Sequence, residues 1–287
     1  MPNSKPKISN LHSDSSISRI VNMTFSNLIG GFSIHNIIRV VILLPGLLLT
    51  VFMVKFRLEK SKSLRRVYLW IYFLGKNITD FGNIALIKRC IHPGAVVIDI
   101  GAAFGFYSYK SSKLVSTTGK IMSFEPDPMS RLFLKDVVES KHLSNVEIYP
   151  FAIWETEAEL NLNICQENPG ENSLFKQSIH EKSITVPAIS IDEHFNLPTV
   201  DFVKVDVQGG EYHALKGMEK LIRRSPNIVL FLECTPVYLK SAGVNIKEFL
   251  TFLSGLDLRI FRCDSDPPSE VLIPSDLDYL NNVRIGY

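Results

Sequence analysis

Short apolar runs alternate with amphipathic stretches along the chain from about residue 80 onward. The apolar runs predict strands at Val96–Ile100, Lys120–Phe124, 146–151, 202–207 and 228–233. The amphipathic stretches predict helices at 105–115, 128–139 and 211–223. Alternating strands and helices are typical of a parallel sheet. We therefore expect an α/β fold with an open, mostly parallel, doubly wound sheet.

Two segments depart from this alternation. Residues 155–190 predict an excursion of strands and loops, and residues 259–274 predict further strands with a loop. Residues 91–287 are expected to form the sheet domain that contains both.

A long apolar segment lies N-terminal to the sheet pattern, at residues 37–54. Its core, residues 40–54, would rise only about 22 Å as a helix, against roughly 30 Å of bilayer hydrocarbon. A thin membrane span, a re-entrant or in-plane helix, and a buried helix of the soluble domain all remain open. We favour a membrane-associated helical segment, preceded by a flexible tail at residues 1–36, which are rich in Ser and Asn.

Basic residues crowd directly after the apolar segment. They are Lys55, Arg57, Lys60, Lys62, Arg65 and Arg66. This bias predicts that the bulk of the chain lies on the cytoplasmic side, with residues 37–66 contacting anionic lipid. Residues 55–90 are expected to be a basic juxtamembrane and linker helix region. Its aromatic stretch, residues 67–75, suits either an interfacial helix or one packed on the next domain.

Composition narrows the possible functions. The 287 residues carry a net charge of +2, with 46% hydrophobic and 21% charged residues. A chain this close to neutral argues against a protein devoted to nucleic-acid binding. The cysteines, Cys90, Cys165, Cys234 and Cys263, form no C-x-x-C pair, so neither a zinc site nor a disulfide framework is indicated. A reducing compartment is the simpler interpretation.

Acidic residues stand at the ends of the first two predicted strands. Asp99 lies before a glycine turn that contains Gly101 and Gly105, and Glu125 follows about 20 residues later. An acid at this spacing reaches ribose hydroxyls in nucleoside-binding sheets, because ligands bind beyond the carboxyl ends of the strands. Glycine would let the turn pass close under such a ligand. The alternative is that Glu125 only caps the turn before a helix.

The glycine turn is not of the pyrophosphate-binding type. Its sequence, GAAFGF, places Ala103 where the second glycine of G-x-G-x-x-G would stand. A nucleoside without a pyrophosphate, such as S-adenosylmethionine, does not require that pattern. Asp99 could hold the ammonium group of this cofactor or order the loop.

Charged residues interrupt the fourth predicted strand, in the sequence FVKVDVQGGE. Lys204 and Asp206 alternate with valines and therefore share one face of a strand that should be apolar. Glu211 and His213 follow shortly afterwards. Buried charges need a partner or a ligand, so we expect this cluster to receive a hydroxyl acceptor, with Asp206, Glu211 or His213 as candidate bases. A purely structural Lys204–Asp206 ion pair is the alternative.

Several motifs, taken in order, resemble the FkbM-type methyltransferases of the class I S-adenosylmethionine fold. They are VVIDIGAAFGFYS, SFEPDP, NVEIYPFAIW, ISIDEHF and VDFVKVDVQGGEYHALKGM followed by IVLFLE. The resemblance implies that Asp99, Gly101 and Gly105 hold the methionine part of the cofactor and Glu125 the ribose. It places the segment around Ala152 near the adenine, and we add the neighbours Phe106 and Pro126 to the predicted cofactor set.

Two positions depart from the family pattern. The family usually has Asn where Ala103 stands and Glu where Gln208 stands. We expect a membrane-attached O-methyltransferase that uses S-adenosylmethionine and methylates a sugar hydroxyl of a glycolipid or surface-polysaccharide precursor. A non-catalytic, methyltransferase-like membrane scaffold is the alternative. No metal is predicted, and the sequence leaves the oligomeric state open.

Overall fold

The computed structural model describes residues 60–165, 168–233, 235–256 and 258, together with the backbone of 261–262 and 269–270. The first part of this chain has two helices and then alternates between strands and helices. Its elements are α1 (Lys62–Thr79), α2 (Phe81–Cys90), β1 (Val96–Ile100), α3 (Phe106–Val115), β2 (Lys120–Phe124), α4 (Pro128–Ser140) and β3 (Val146–Tyr149).

The second part begins with the strand-rich excursion and returns to the alternation. Its elements are β4 (Ala152–Ile153), β5 (Ala158–Ile164), a 3₁₀ turn (Pro169–Glu171), β6 (Lys182–Ile189), α5 (Ile191–His194), β7 (Phe202–Val205), α6 (Glu211–Lys216), α7 (Glu219–Arg224), β8 (Val229–Leu232), α8 (Pro236–Ser241), α9 (Ile246–Ser254), β9 (Phe261–Arg262) and β10 (Ser269–Glu270).

The main sheet has the order β3-β2-β1-β7-β8, and all of its neighbouring strands are parallel. The chain builds outward from β1 to β3 and then returns to place β7 on the other side of β1. The strand order therefore reverses between β1 and β7, and ligands of such sheets bind at this reversal, beyond the carboxyl ends of the strands. The predicted open, parallel, doubly wound sheet is confirmed.

Both faces of the sheet are covered. On one face Ile98 and Ile100 of β1 pack in a large cluster with Leu215 and Phe249. On the other face Val97 packs with Ile87 of α2 and Val115 of α3. Alternate residues of a strand point to opposite faces, so Asp99 lies on the same face as Val97, towards α3. Across the sheet Asp99 is in register with Lys204 of β7.

Three predicted elements differ from those observed. The apolar run 146–151 is not one strand, because β3 ends at Tyr149 and β4 pairs with β6 in a separate sheet of order β4-β6-β5. The predicted strand 202–207 ends at Val205. The predicted helix 211–223 is interrupted between α6 and α7, where a Cβ on Gly217 would lie 1.8 Å from the Trp154 carbonyl oxygen.

The predicted linker region contributes two helices that pack on the sheet domain. Tyr68 and Leu69 of α1 lie in an aromatic cluster with Phe104 and Phe133. A buried ion pair, Arg65 Nε to Asp136 Oδ2 at 2.5 Å, also joins α1 to α4. The predicted membrane segment, residues 37–54, lies outside the described residues. Among the described helices, none combines the length and apolarity needed to cross a bilayer.

Candidate active site

The glycine turn between β1 and α3 is held tightly by the protein itself. Gly101 has φ +74°, and a Cβ there would lie 1.9 Å from the backbone oxygen of Asp206. Gly105 has φ +81°, and its Cβ would lie 2.4 Å from a methyl group of Leu134. Close packing between segments of the chain therefore requires glycine at both positions, and their contact with the cofactor remains a prediction.

Glu125 lies directly after β2 and organises the glycine turn. Its Oε2 accepts a hydrogen bond from Ala103 N (2.7 Å), and its Oε1 accepts one from Asp127 N (2.9 Å). Desolvation raises the pKa of Glu125 to about 7, and the charge of Asp127 adds to this effect. Pro126 separates Glu125 from Asp127, which caps the first turn of α4. Each Glu125 oxygen retains a lone pair for a further donor.

Asp99 is buried at the end of β1. Its Oδ2 accepts a hydrogen bond from Ser108 Oγ at 2.6 Å, and Lys204 Nζ lies 3.7 Å from its Oδ1. Desolvation raises the pKa of Asp99, although Lys204 and Ser108 oppose the change. Asp99 therefore lies beside the Lys204–Asp206 pair.

Asp206 follows β7 and is surrounded by hydrogen-bond donors. Lys204 Nζ lies 3.1 Å from its Oδ2, and Gln208 Nε2 donates to its Oδ1 at 3.2 Å. The carboxyl group of Glu233, which follows β8, also bonds to Asp206. Although desolvation acts in the opposite direction, Lys204 and Glu233 hold the pKa of Asp206 below its usual value. Burial and the Asp206 charge raise the pKa of Glu233 to about 9, so Glu233 is neutral at pH 7.

The residues at this edge of the sheet fit S-adenosylmethionine. In the described part of the chain, buried side-chain oxygens without a hydrogen-bond donor include Asp99 Oδ1, Gln208 Oε1 and Glu233 Oε1. An acceptor-rich edge suits a ligand that brings an ammonium group and ribose hydroxyls, which are donors. The described residues contain no cluster of His, Cys, Asp and Glu suited to a metal ion.

Comparison with known proteins identifies the family. The methyltransferase FkbM domain family matches residues 99–260, which is more than half of the 287-residue chain. The chain belongs to the FkbM methyltransferase family. The predicted family and its S-adenosylmethionine cofactor are confirmed, while the predicted domain bounds, residues 91–287, remain a prediction.

Individual relatives of this FkbM-family chain are distant. Methyltransferase 1 of Beauveria bassiana (strain ARSEF 2860) is 25% identical over 146 residues, which cover 43% of this chain and 58% of that protein. The chain thus spans little more than half of that relative's length. Among solved structures, methyltransferase FkbM from Methylobacillus flagellatus KT shares 14% identity with a TM-score of 0.41, covering 72% of this chain and 52% of its own. A SAM-dependent methyltransferase from Aquifex aeolicus shares 18% identity with a TM-score of 0.37, covering 63% of this chain and 81% of its own.

The side chains of two of the four predicted catalytic residues, Glu211 and His213, contact other parts of the FkbM domain. Glu211 accepts backbone N–H groups from Val207 (3.3 Å) and Gly209 (3.0 Å), so it organises the loop that carries Gln208. Desolvation raises the pKa of Glu211 to about 7. His213 Nδ1 lies 2.8 Å from Glu155 Oε1, and its ring stacks on Trp154. Asp206 and Lys204 are the predicted catalytic residues that meet at the end of β7.

Two predicted cofactor residues are packed in the interior. Ala152 is buried in β4 and pairs with Ala188 of β6. Phe106 begins α3, and its buried ring contacts Phe73 of α1 in an edge-to-face arrangement. Their contact with the cofactor remains a prediction.

The structure adds residues that the sequence did not point to. Tyr107 donates a hydrogen bond to Asp80 Oδ2 at 2.8 Å, and Lys204 Nζ lies 5.0 Å from the centre of its ring. Desolvation raises the pKa of Tyr72 in α1, and Asp80 and Asp206 contribute to the shift. The C-terminal end of α1, at Asp80, is thus joined to Tyr107 of α3, whose ring lies beside Lys204. Tyr72 belongs to an aromatic stretch without a local motif, so no sequence signal marked it.

The excursion also reaches the site. Ser173 Oγ donates to the backbone oxygen of Gln208 at 2.7 Å, and Asn172 Nδ2 lies 3.4 Å from Asp127 Oδ2. One short segment thus contacts both the loop after β7 and the loop after β2. Residues 172–173 therefore connect these two loops.

Proposed function

We propose that this chain transfers a methyl group from S-adenosylmethionine to a hydroxyl oxygen. The observation that carries the proposal is the cluster of buried Lys204 with half-buried Asp206 and Glu233 beside the glycine turn, at the reversal of strand order. Its ion pair and its unpartnered oxygens form an acceptor-rich edge, which suits a substrate that brings hydroxyl groups.

S-adenosylmethionine, when bound, supplies a methyl group that is activated for displacement. Glu125 would hold the ribose hydroxyls, and Asp99 would accept from the ammonium group. The main task of the remaining residues is orientation, because the acceptor oxygen must be held within about 3 to 3.5 Å of the carbon that it attacks.

Asp206 is the candidate proton acceptor. A low pKa does not disqualify this carboxylate, because a hydroxyl becomes strongly acidic as its oxygen is alkylated. Lys204 and the neutral Glu233 fix the carboxylate and keep it ionised. Proton transfer to a positioned group of this kind contributes about 10²- to 10⁴-fold to the rate.

The proposed acceptor is a sugar hydroxyl of a lipid-linked glycan or surface-polysaccharide precursor. Its support comes from the sequence: an apolar segment at residues 37–54 precedes a methyltransferase domain, and basic residues follow it. The same pattern supports attachment to a membrane with the domain on the cytoplasmic side.

Incubating membranes that contain the full chain with methyl-labelled S-adenosylmethionine tests the function. A labelled lipid-linked saccharide, formed by the wild type and absent with Asp206→Asn, is the expected product. Label in another class of molecule would overturn the acceptor assignment. Cofactor binding without any labelled product would favour the non-catalytic scaffold.

A further inference from the structure

Helix α1 is apolar on two opposite faces. Its inner face carries Tyr68 and Leu69, which are buried against the domain. Its outer face carries an exposed apolar stripe, which consists of Leu64, Val67, Trp70, Leu74 and Ile78. At 100° per residue these five side chains fall within an arc of about 120°. Trp70 is 69% exposed and Val67 53% exposed, so this stripe is not part of the core.

A further exposed apolar side chain follows the end of α1. Phe81, the first residue of α2, is 73% exposed. Soluble proteins rarely leave large contiguous apolar patches in water, and such patches mark interaction surfaces. The stripe also lies N-terminal to residues 99–260, which match the methyltransferase family. It is therefore not accounted for by the catalytic domain.

The charges around the stripe identify its partner. Arg66 is exposed at the N-terminal end of α1, on the flank of the stripe, whereas Lys62 is exposed nearer the inner face and pairs with Glu139 of α4. Immediately upstream the sequence adds Lys55, Arg57 and Lys60, and the apolar run of residues 40–54 ends eight residues before α1 begins. An apolar helix face with a basic flank and an exposed tryptophan is typical of a helix that lies in an anionic membrane interface.

We propose that the outer face of α1 lies in the plane of an anionic membrane surface, with the apolar stripe among the lipids. This inference deepens the proposed function, because it specifies how a lipid-linked acceptor is presented. The inner face of the same helix carries Tyr72, whose ring packs edge-to-face on Phe104 of the glycine turn, with 5.2 Å between the ring centres. Helix α1 would therefore lie between the glycine turn and the lipid.

Tryptophan fluorescence of the full chain tests this orientation. The chain has two tryptophans, Trp70 on the stripe and the half-buried Trp154. Vesicles would contain equal parts phosphatidylcholine and phosphatidylglycerol, with bromine atoms at a shallow or a deep position of the acyl chains. Quenching by shallow bromines that is lost in Trp70→Phe is the expected result. If bromine atoms at neither the shallow nor the deep position quench the emission of vesicle-bound protein, the proposal is overturned.

A double variant on the stripe and a control variant elsewhere on the surface test whether the stripe itself contacts the lipid. Val67→Glu with Leu74→Glu should reduce shallow quenching by about twofold or more, because charged side chains are expelled from the lipid. Val237→Glu is the control, since Val237 is a helical valine on α8 that is even more exposed than Val67. Equal reduction by both would contradict the assignment. A blue shift of Trp70 that depends on protein concentration without lipid would instead show that a second copy covers the stripe.

Failure of this inference can be told apart from failure of the proposed function. Cofactor affinity, measured by calorimetry, and methyl transfer to a detergent-solubilised acceptor require no vesicle. If both persist while Trp70 remains unquenched in vesicles, the catalytic proposal stands and the membrane orientation is wrong.

Discussion

Two carboxylates lie at the same edge of the sheet and are stabilised in different ways. Glu125, after β2, is held by the backbone amides of Ala103 and Asp127, which are part of the turns on either side. Asp206, after β7, is held by the side chains of Lys204, Gln208 and Glu233. Backbone amides make a rigid binding site, whereas a network of titratable side chains sets a charge and can exchange a proton. We therefore interpret Glu125 as the residue that binds the cofactor and Asp206 as the residue that accepts the proton in the reaction.

The largest expected effect is on turnover. Asp206→Asn removes the proton acceptor but leaves Lys204 paired with Asp99 at 3.7 Å, so the fold should survive. We expect kcat to fall by about 10²-fold or more, measured with labelled cofactor on purified protein. Asp201→Asn is the matched control, because Asp201 precedes β7 at its opposite end, where its Oδ2 accepts a hydrogen bond from Val96 N. Full activity of Asp206→Asn, or a loss of folding, would contradict the catalytic role.

The next effect is on cofactor binding. Glu125→Gln replaces one carboxylate oxygen with an NH₂ group, which would face a backbone N–H donor. The remaining amide oxygen is a weaker hydrogen-bond acceptor for the ribose hydroxyls than the carboxylate. Loss of hydrogen bonds to a charged group is worth about 1.5 to 3 kcal/mol, so S-adenosylmethionine affinity should fall about tenfold to a hundredfold. Calorimetry of the folded variant measures this change. The control is Glu147→Gln on β3, whose side chain is 51% exposed. Unchanged affinity in Glu125→Gln would remove the ribose assignment.

The sequence predicted the features of the two carboxylate sites that depend on neighbouring residues in the chain, but not those that depend on long-range contacts. The alternation in FVKVDV placed Lys204 and Asp206 on one face because a strand has a period of two, and the spacing from Asp99 to Glu125 located both strand ends. Long-range docking could not be predicted in the same way. Helix α1 is apolar on two faces, so periodicity did not show that Tyr68 packs inward and Trp70 outward.

Local backbone geometry could not be predicted from the sequence either. The apolar run 146–151 gave no sign that the chain changes sheets after Tyr149, because both sheets bury apolar residues. Glu211 follows a strand end and was expected to face the acceptor, but the loop before it turns back and presents N–H groups to it. Gln208 adopts φ 51° in that loop, a left-handed conformation that its sequence did not indicate.

A third prediction compares the two sites by pH. Folding raises the pKa of Glu233 to about 9. The protonated Glu233 side chain therefore contributes its full stabilisation below the ordinary carboxyl pKa, and this stabilisation is lost as the pH rises towards 9. The wild type should lose thermal stability between pH 7 and 9.5. Glu233→Gln should reduce that loss by about 1 to 2 kcal/mol in the free energy of unfolding.

Glu125 provides the reference for this titration. Its pKa is about 7, so Glu125→Gln should leave the loss of stability above pH 8 in place. Melting temperatures of the three proteins across the pH range measure the effect. A wild-type loss above pH 8 that persists in Glu233→Gln would show that another group is responsible.

The smallest expected effect concerns the turn that Glu125 organises. Ala103 has φ 46°, a left-handed conformation that Asn adopts more readily than Ala. Ala103→Asn should therefore raise the free energy of unfolding by up to about 1 kcal/mol, while Ala103→Val should lower it by about the same amount or more. Chemical denaturation of both variants provides the measurement. The same sign of change in both would argue against backbone strain at this position.

The most direct test of the division between the two carboxylates is the S-adenosylmethionine affinity of Asp206→Asn. If Glu125 binds and Asp206 reacts, calorimetry should show affinity within about threefold of the wild type, because the lost group acts on the acceptor rather than on the cofactor. A loss of affinity as large as that of Glu125→Gln, in a variant that melts like the wild type, would contradict the account.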